Sequence, residues 1–442
     1  MPHAVSISDG SSTISLSTTN VQLNHYTPQA PSWDEDSASY QPVVDTIDFL
    51  VYQSTAAAAQ TKIAQIERVL LSVQRRAMSR TGPIPYLILQ MASDVSSWRS
   101  QILSVTWVST DDLFQSLPQG YAGFRINVQR VPFWEGARTN IPLSNGSGAN
   151  VTTGLLVNNA DDYAGIAVDV IGGSLPTPLE LNIQNVTGAN RSYGNFFASV
   201  NPFDTALVHT IQGETAISGY GAATANATAS GGQVARMTTI AAGELRFRWT
   251  IPAATTSIFR GRYANILMRL ASSVPSGTRV RTSIYDRLGY IMMHQAPDTA
   301  VNGYAAGNGQ HNCGAFPLPS GAYDTTFGNI TLEVIFYAPY AMTVDVDYIT
   351  LMPSDPGCFR HFVQQGYNIG NNGTVVDNGI VGNVYSLASS RDMAWKQYTE
   401  PLYVQPALAQ RIYLLVDGES NNVGWQHRLI AYYRPRRLTI GS

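Results

Sequence analysis

The chain has 442 residues, of which 44% are hydrophobic and 13% charged, with a formal net charge of −3. A hydrophobic share of that size supports buried cores and excludes a wholly disordered chain. A balanced charge lacks the concentrated basic surface that phosphate neutralisation needs, so no nucleic-acid partner is expected.

Residues 1–20 form a Ser/Thr-rich polar run, read as an arm rather than a secretory signal because no charged and then apolar segment is present. Val43–Tyr52 reads as a strand with apolar residues on both faces. A helix follows. Ser54 is a plausible N-cap, four alanines succeed it, and Ile63, Ile66, Leu70, Val73 and Ala77 recur at spacings of three and four. Thr81-Gly82-Pro83 ends it. Strands are expected over Tyr86–Met91, Trp98–Val108 and Gly123–Arg130. Residues 21–143 therefore read as an α+β domain in which one helix covers a sheet.

The Gly/Ser/Asn run from Ser144 to Thr153 reads as a linker. Beyond it, residues 154–353 carry only short strand signals separated by polar turns, the pattern of a β-sandwich or jelly roll. Residues 354–442 hold Asn-Gly turns at Asn372 and Asn378 and two strand signals, Gln410–Val416 and His427–Tyr433. They form either a small β domain or strands that complete the first domain. The fold class is thus mainly β with one packed helix. No run of about 18 apolar residues exists, so membrane insertion is not expected.

Candidate chemistry is sparse. Cys313 and Cys358 have no partner at metal-ligand spacing and read as ordinary thiols; His361 near Cys358 is a weak nucleophilic pair. Asp345 and Asp347 share one strand face and could hold Ca²⁺, with solvated or paired carboxylates as the blander account. Tyr304, Tyr323, Tyr337 and Tyr340 could stack on sugar rings, although Tyr also simply favours strands. No cofactor and no enzymatic activity are expected.

At Arg130-Val131-Pro132-Phe133-Trp134-Glu135-Gly136 the sequence resembles the aromatic "R-x-x-F/Y-W-E" stretch that ends the first domain of long-tailed phage tail proteins, the distal-tail and tube-forming group. Gly172-Gly173-Ser174-Leu175-Pro176-Thr177-Pro178-Leu179 is similar to the start of the following sandwich in that group, and Val344–Met352 to the last strand of carbohydrate-binding-like sandwiches. Gln410-Arg411-Ile412-Tyr413 resembles a strand near the end of related proteins. The resemblance implies a non-enzymatic virion protein of the phage tail, made in the host cytoplasm without a signal peptide. It implies homo-oligomeric rings, hexameric or trimeric, that contact other tail proteins and turn the sandwich outward. Arg130, Phe133, Trp134 and Glu135 become family-motif residues, with Phe133-Trp134 read as aromatic burial at a domain junction. Two alternatives stand beside this: an adhesin that binds a cell-surface glycan, and a polysaccharide-degrading enzyme for which no residues can be nominated.

Overall fold

The computed structural model describes residues 2–79, 82–91, 96–108, 117–145, 151–158, 165–186, 188, 191–200, 209–227, 229–259, 262–286, 292–301, 310–318, 329–363, 368–387, 396–397, 399–418 and 426–440. The architecture is mainly β. Two compact units are present: Met1–Thr139 with Gly172–Leu175 and Arg434–Ser442, and Asn140–Ile171 with Pro176–Tyr433.

In the first unit, β1 (Pro2–Ser8), β2 (Thr13–Ser15), β3 (Val21–Tyr26), β6 (Val43–Tyr52), β7 (Tyr86–Met91), β8 (Ser97–Val108) and β9 (Tyr121–Arg130) form an antiparallel sheet. Its order is β2-β1-β7-β8-β9-β6-β3. A short hairpin, β4 (Trp33–Asp34) and β5 (Ser39–Tyr40), precedes β6. β10 (Trp134–Glu135) pairs with β8 and with the C-terminal strand Arg436–Arg437.

The N-terminal arm is a correction to the sequence reading. Val5, Ile7, Ile14 and Leu16 alternate with Ser and Thr and are buried in this unit's core, so the hydroxyl-rich composition is the outward half of two strands. β6 differs as well. Val43, Asp45, Ile47, Phe49 and Val51 are buried on one face, whereas Val44 and Tyr52 are exposed on the other.

α1 (Ala56–Ser79) begins one residue later than Ser54 would place it: Thr55 Oγ1 accepts a hydrogen bond from the Ala58 amide at 3.2 Å and is the N-cap. Ile66, Leu70 and Val73 form its buried stripe and Ile63 packs alongside. Each such side chain contributes roughly 1.5–3 kcal/mol by leaving water. Near its C-terminal end Ser72 Oγ donates to Asp9 at 2.6 Å and Arg76 grips the Asp9 carboxylate and carbonyl, so the helix is tied to the turn after β1.

The second unit holds two β-sandwiches, not one. The outer sandwich is discontinuous. One sheet contains Glu180–Asn185, Thr374–Asn378, Asn383–Ser386 and Gln426–Tyr433; the other contains Ile166–Val168, Arg191–Val200, Phe359–Val363 and Gln410–Gly418. Leu181, Ile183, Phe196, Val375, Leu414 and Leu429 belong to their shared core. Between Val200 and Cys358 the chain builds the inserted sandwich. Its sheets carry Gln233–Thr239, Tyr263–Leu270, Gln310–Pro317 and Met342–Pro353 opposite Gly243–Ile251, Arg279–Tyr285, Met292–Gln295 and Ile330–Ala338. Phe247, Trp249, Ile266, Leu332, Phe336 and Val344 lie at its centre. A separate buried cluster, including Phe197, Leu267, Tyr348 and Tyr413, draws on strands of both sandwiches.

The domain boundaries are therefore redrawn. Leu143–Ser144 pairs with Ile166–Val168, and Leu143 bridges to Val151, so the described ends of the expected linker lie inside the outer sandwich. Of residues 354–442, those up to Tyr433 complete that sandwich, and Arg434–Ser442 return to the first unit.

Candidate functional site

The Arg130–Glu135 stretch is built into the first unit. Arg130 sits at the end of β9 and is fully buried, and its Nε meets Asp45 Oδ2 at 2.6 Å. Its other nitrogens reach the carbonyls of Val131 and Gln29, and its guanidinium lies 4.3 Å from the Trp134 ring centroid. Asp45 also accepts from Tyr26 Oη and the Gln29 amide; burial, with the Asp45 charge beside it, pushes the Tyr26 hydroxyl upward. A buried pair of charges is tolerated when further hydrogen bonds satisfy its remaining groups, and here each guanidinium nitrogen and each carboxylate oxygen has at least one partner. Trp134 is fully buried in this unit's own core.

Glu135 begins a second, more open cluster. Its Oε1 accepts both Nε and Nη2 of Arg436, at 3.0 and 2.7 Å, and Arg99 lies 3.7 Å away. Arg436 stacks on Phe133 at 3.9 Å, Arg99 on Tyr86 at 4.1 Å and Arg437 on Trp98 at 4.7 Å. Arg434 donates to the Gly136 carbonyl at 3.1 Å. Burial, together with the like charges of Arg99 and Arg138, holds the Arg434 guanidinium below its ordinary value against the opposing pull of Glu135. Sequence reasoning found Phe133, Trp134 and Glu135 but missed their arginine partners. The run Arg434-Pro435-Arg436-Arg437 was the signal, the densest basic stretch of the chain.

Asp345 and Asp347 do lie on one strand, yet the structure commits each to its own arginine. Arg236 grips Asp345 through two contacts at 2.7 and 2.6 Å. Asp347 is buried 3.4 Å from Arg269 and accepts from the Ser230 amide and hydroxyl. Burial pushes its carboxyl above the ordinary carboxylate range, with Arg269 and Ser230 pulling the other way. No group of three metal-ligating side chains occurs among the described residues.

Of the four tyrosines, Tyr304 and Tyr323 lie outside the described residues. Tyr340 is exposed, and Tyr337 is half-buried with Arg281 5.2 Å from its ring. Tyr337 belongs to a larger face that the tyrosine reading did not anticipate. On the inserted sandwich Arg246 and Arg248, and across Ile330–Ala338 also Arg279 and Arg281, occupy alternate outward positions. Glu333 lies buried between them, 2.6 Å from Arg248 and 3.1 Å from Tyr285 Oη, and Tyr220 packs on Arg248 at 4.4 Å. The Arg-x-Arg alternation in both strands was visible in the sequence.

Cys313 and Cys358 are both buried and free, and burial pushes each thiol up to about 12. His361 stacks on Phe197 at 4.4 Å, and burial lowers it to about 4. A thiol so raised is not a nucleophile at neutral pH.

No family model matches the chain, and no curated protein matches it. Two solved structures align with 98% of this chain and 98% of their own. One is a chain of the phage P2 baseplate in its activated conformation with Ca, at 10% identity and a TM-score of 0.29. The other is the Dit protein of phage SPP1, described as a paradigm of the hub adsorption apparatus in phages that infect Gram-positive bacteria, at 8% identity and a TM-score of 0.27. Likeness at these scores carries no argument about this chain's role.

Proposed function

We propose that this chain is a non-enzymatic structural protein of a phage tail, a distal-tail or tube-type component that assembles with copies of itself into rings in the virion. The observation that carries the reading is the construction of the first unit. Its sheet runs in sequence through strand, helix and strands to the Arg130–Glu135 stretch, in the order the resemblance implies. Among the described residues its last strand, β3, stands at an edge with Gln22, Asn24 and His25 exposed. A six-residue strand edge left open is a template for another chain unless an assembly covers it. The buried ionisable groups support a structural role too: Arg130, Glu333, Asp345 and Arg360 are each locked in an internal pair.

Light scattering and electron microscopy of the purified chain test the reading, together with antibody labelling of virions. Ring-shaped oligomers and label on the tail are expected. A strict monomer at every concentration, with unlabelled tails, overturns it.

A second reading is favoured by the Arg/Tyr face of the inserted sandwich. Guanidinium and tyrosine side chains on one sheet face suit hydrogen bonding and stacking on a cell-surface glycan. A glycan array with no binder, and host adsorption unchanged in Tyr337→Ala and Arg281→Ala variants, removes it.

A further inference from the structure

We propose that one end of the inserted sandwich is a lipid-contacting tip, at which Ile240 and Tyr340 enter the surface of a bilayer while the arginines behind them meet its phosphates. The proposal goes beyond the tail reading and does not depend on how copies of the chain assemble.

Three connections between the two sheets of this sandwich meet at that end. Thr239 pairs with Met342 and Gly243 with Ala338, so residues 239–243 lie beside residues 338–342. The third connection, residues 271–278, is tied to the same strand. The Ala271 amide donates to the Asp345 carbonyl and the Asp345 amide to Ser272 Oγ, both at 2.9 Å. The chain enters and leaves at the opposite end, where His209 pairs with Leu351 and Ala264 with Pro353. Met342–Pro353 has 12 residues, so about 36 Å of strand separates the two ends. The tip is thus the end of the inserted sandwich farthest from its attachment.

Its chemistry is graded. Residues 237–243, 271–278 and 338–344 contain no charged side chain. Ile240 is 94% exposed and Tyr340 54%, among the small exposed neighbours Ala241, Ala242, Pro339 and Ala341. At the bases of the same loops stand Arg236, Arg246 and Arg279. Each is paired with an acidic residue, yet 39%, 44% and 60% of their side chains remain in water. Apolar cap, phenol and guanidinium follow the order in which a bilayer presents hydrocarbon, interface and phosphate. Two large side chains on a convex tip fall far short of the roughly 1,200 Å² that a stable protein interface buries, whereas a bilayer demands no complementary shape. The contact is shallow and reversible. Among the described residues no helix is long and apolar enough to cross a membrane, and loop tips need none.

The test uses the full chain and vesicles of phosphatidylcholine and phosphatidylglycerol, which offer the Arg/Tyr face no sugar. Partition onto the vesicles is measured by flotation for wild type, for Ile240→Ser/Tyr340→Ser and for Tyr263→Ser, a tyrosine 55% exposed at the opposite end. Wild type is expected to float, the tip variant to partition about tenfold less or weaker, and Tyr263→Ser to match wild type. Both native thiols are buried, so Ala241→Cys takes an environment-sensitive fluorophore alone, and its emission should shift to the blue on vesicles. A wild type that stays in the soluble fraction overturns the proposal. So does flotation that the tip variant retains, or that Tyr263→Ser loses equally, because the contact then lies elsewhere. Binding to membrane-free cell walls but not to vesicles assigns the tip another partner and also overturns it. Ring assembly, read separately by light scattering, stands or falls independently of these results.

Discussion

Replacing Asp45 by Asn tests the idea that the R-x-x-F-W-E stretch is held by a buried charge. Asn has nearly the same shape but one oxygen: placed at the Oδ1 position it still accepts from the Gln29 amide, while its Nδ2 amide then faces Tyr26 Oη and the Arg130 Nε–H. It removes the negative charge 2.6 Å from Arg130, whose side chain is wholly buried. The guanidinium keeps its contacts with the carbonyls of Gln29 and Val131 and with the Trp134 ring, but none of these carries a full charge. Breaking a buried pair by removing one partner costs about 3–5 kcal/mol, because the remaining charge is stranded. At about 2–4 °C per kcal/mol for a unit of this size, melting should fall by roughly 6–20 °C. The internal control lies on the same strands. Asp48 and Arg125 face each other across β6 and β9 with two-point geometry, yet half of the Arg125 side chain is in water, and Asp48→Asn should leave melting unresolved from wild type. Thermal unfolding followed through near-ultraviolet circular dichroism of Trp98 and Trp134 reports both variants. Equal, small shifts for Asp45→Asn and Asp48→Asn would refute the reasoning, since burial would then have made no difference.

Further outcomes are expected in the second unit. Burial lowers His311, His361 and His427 to about 4, below the ordinary value near 6.5. A lowered folded value means the unfolded chain takes up the proton first, so stability is full above about pH 6.5 and is lost as pH falls towards 4, on the order of 3 kcal/mol for a fully buried histidine. Acid titration of unfolding should show this slope, and His427→Gln should flatten it; an unchanged slope counts against it. A Cβ on Gly213 would fall on the Val346 carbonyl oxygen, and Gly213's own carbonyl accepts from Trp249 Nε1 at 3.0 Å. Gly213→Ala should therefore destabilise the inserted sandwich by at least about 1–3 kcal/mol, read from its melting. Both thiols should resist maleimide at pH 8 until the chain unfolds, and rapid native labelling of Cys313 or Cys358 would contradict their burial.

Elements whose apolar period is uninterrupted were legible residue by residue. Val43–Tyr52 and Tyr86–Met91 carry the bounds that alternation predicts, and α1 differs only by its cap. Two kinds of information were hidden. One was alternation masked by composition: Val5, Ile7, Ile14 and Leu16 sit among hydroxyls, and a polar average conceals a strand whose outward half is Ser and Thr. The other was pairing across distance. Glu180–Asn185 and Gln426–Tyr433 are neighbours in one sheet although more than half the chain lies between them, and nothing local in either strand names its partner. The interruption of one sandwich by another, between Val200 and Cys358, is such a fact of pairing. The same limit governs the candidate site. Asp345 and Asp347 were readable as two carboxylates on one face, but Arg236 and Arg269, which claim them, lie on other strands.

The low charge content gains a physical cause from these pairings. Lysine occurs twice in the chain, at Lys62 and Lys396, and the other basic side chains are arginines. The structure puts several of those arginines where a lysine could not substitute. Arg360 is wholly buried, sends Nε and Nη2 to the Asp377 carboxylate and Nη1 to the Thr399 carbonyl, and lies 5.9 Å from the Phe362 ring. Arg130, Arg248 and Arg436 combine a carboxylate with an aromatic face in the same way. An ammonium is a single, strongly hydrated point charge that offers neither the planar fork nor the stacking surface. Where charges are few and each must be desolvated between strands, the guanidinium is the group that can satisfy a carboxylate and an aromatic ring together. The arginine excess is thus first a consequence of ion pairs built into the sheets.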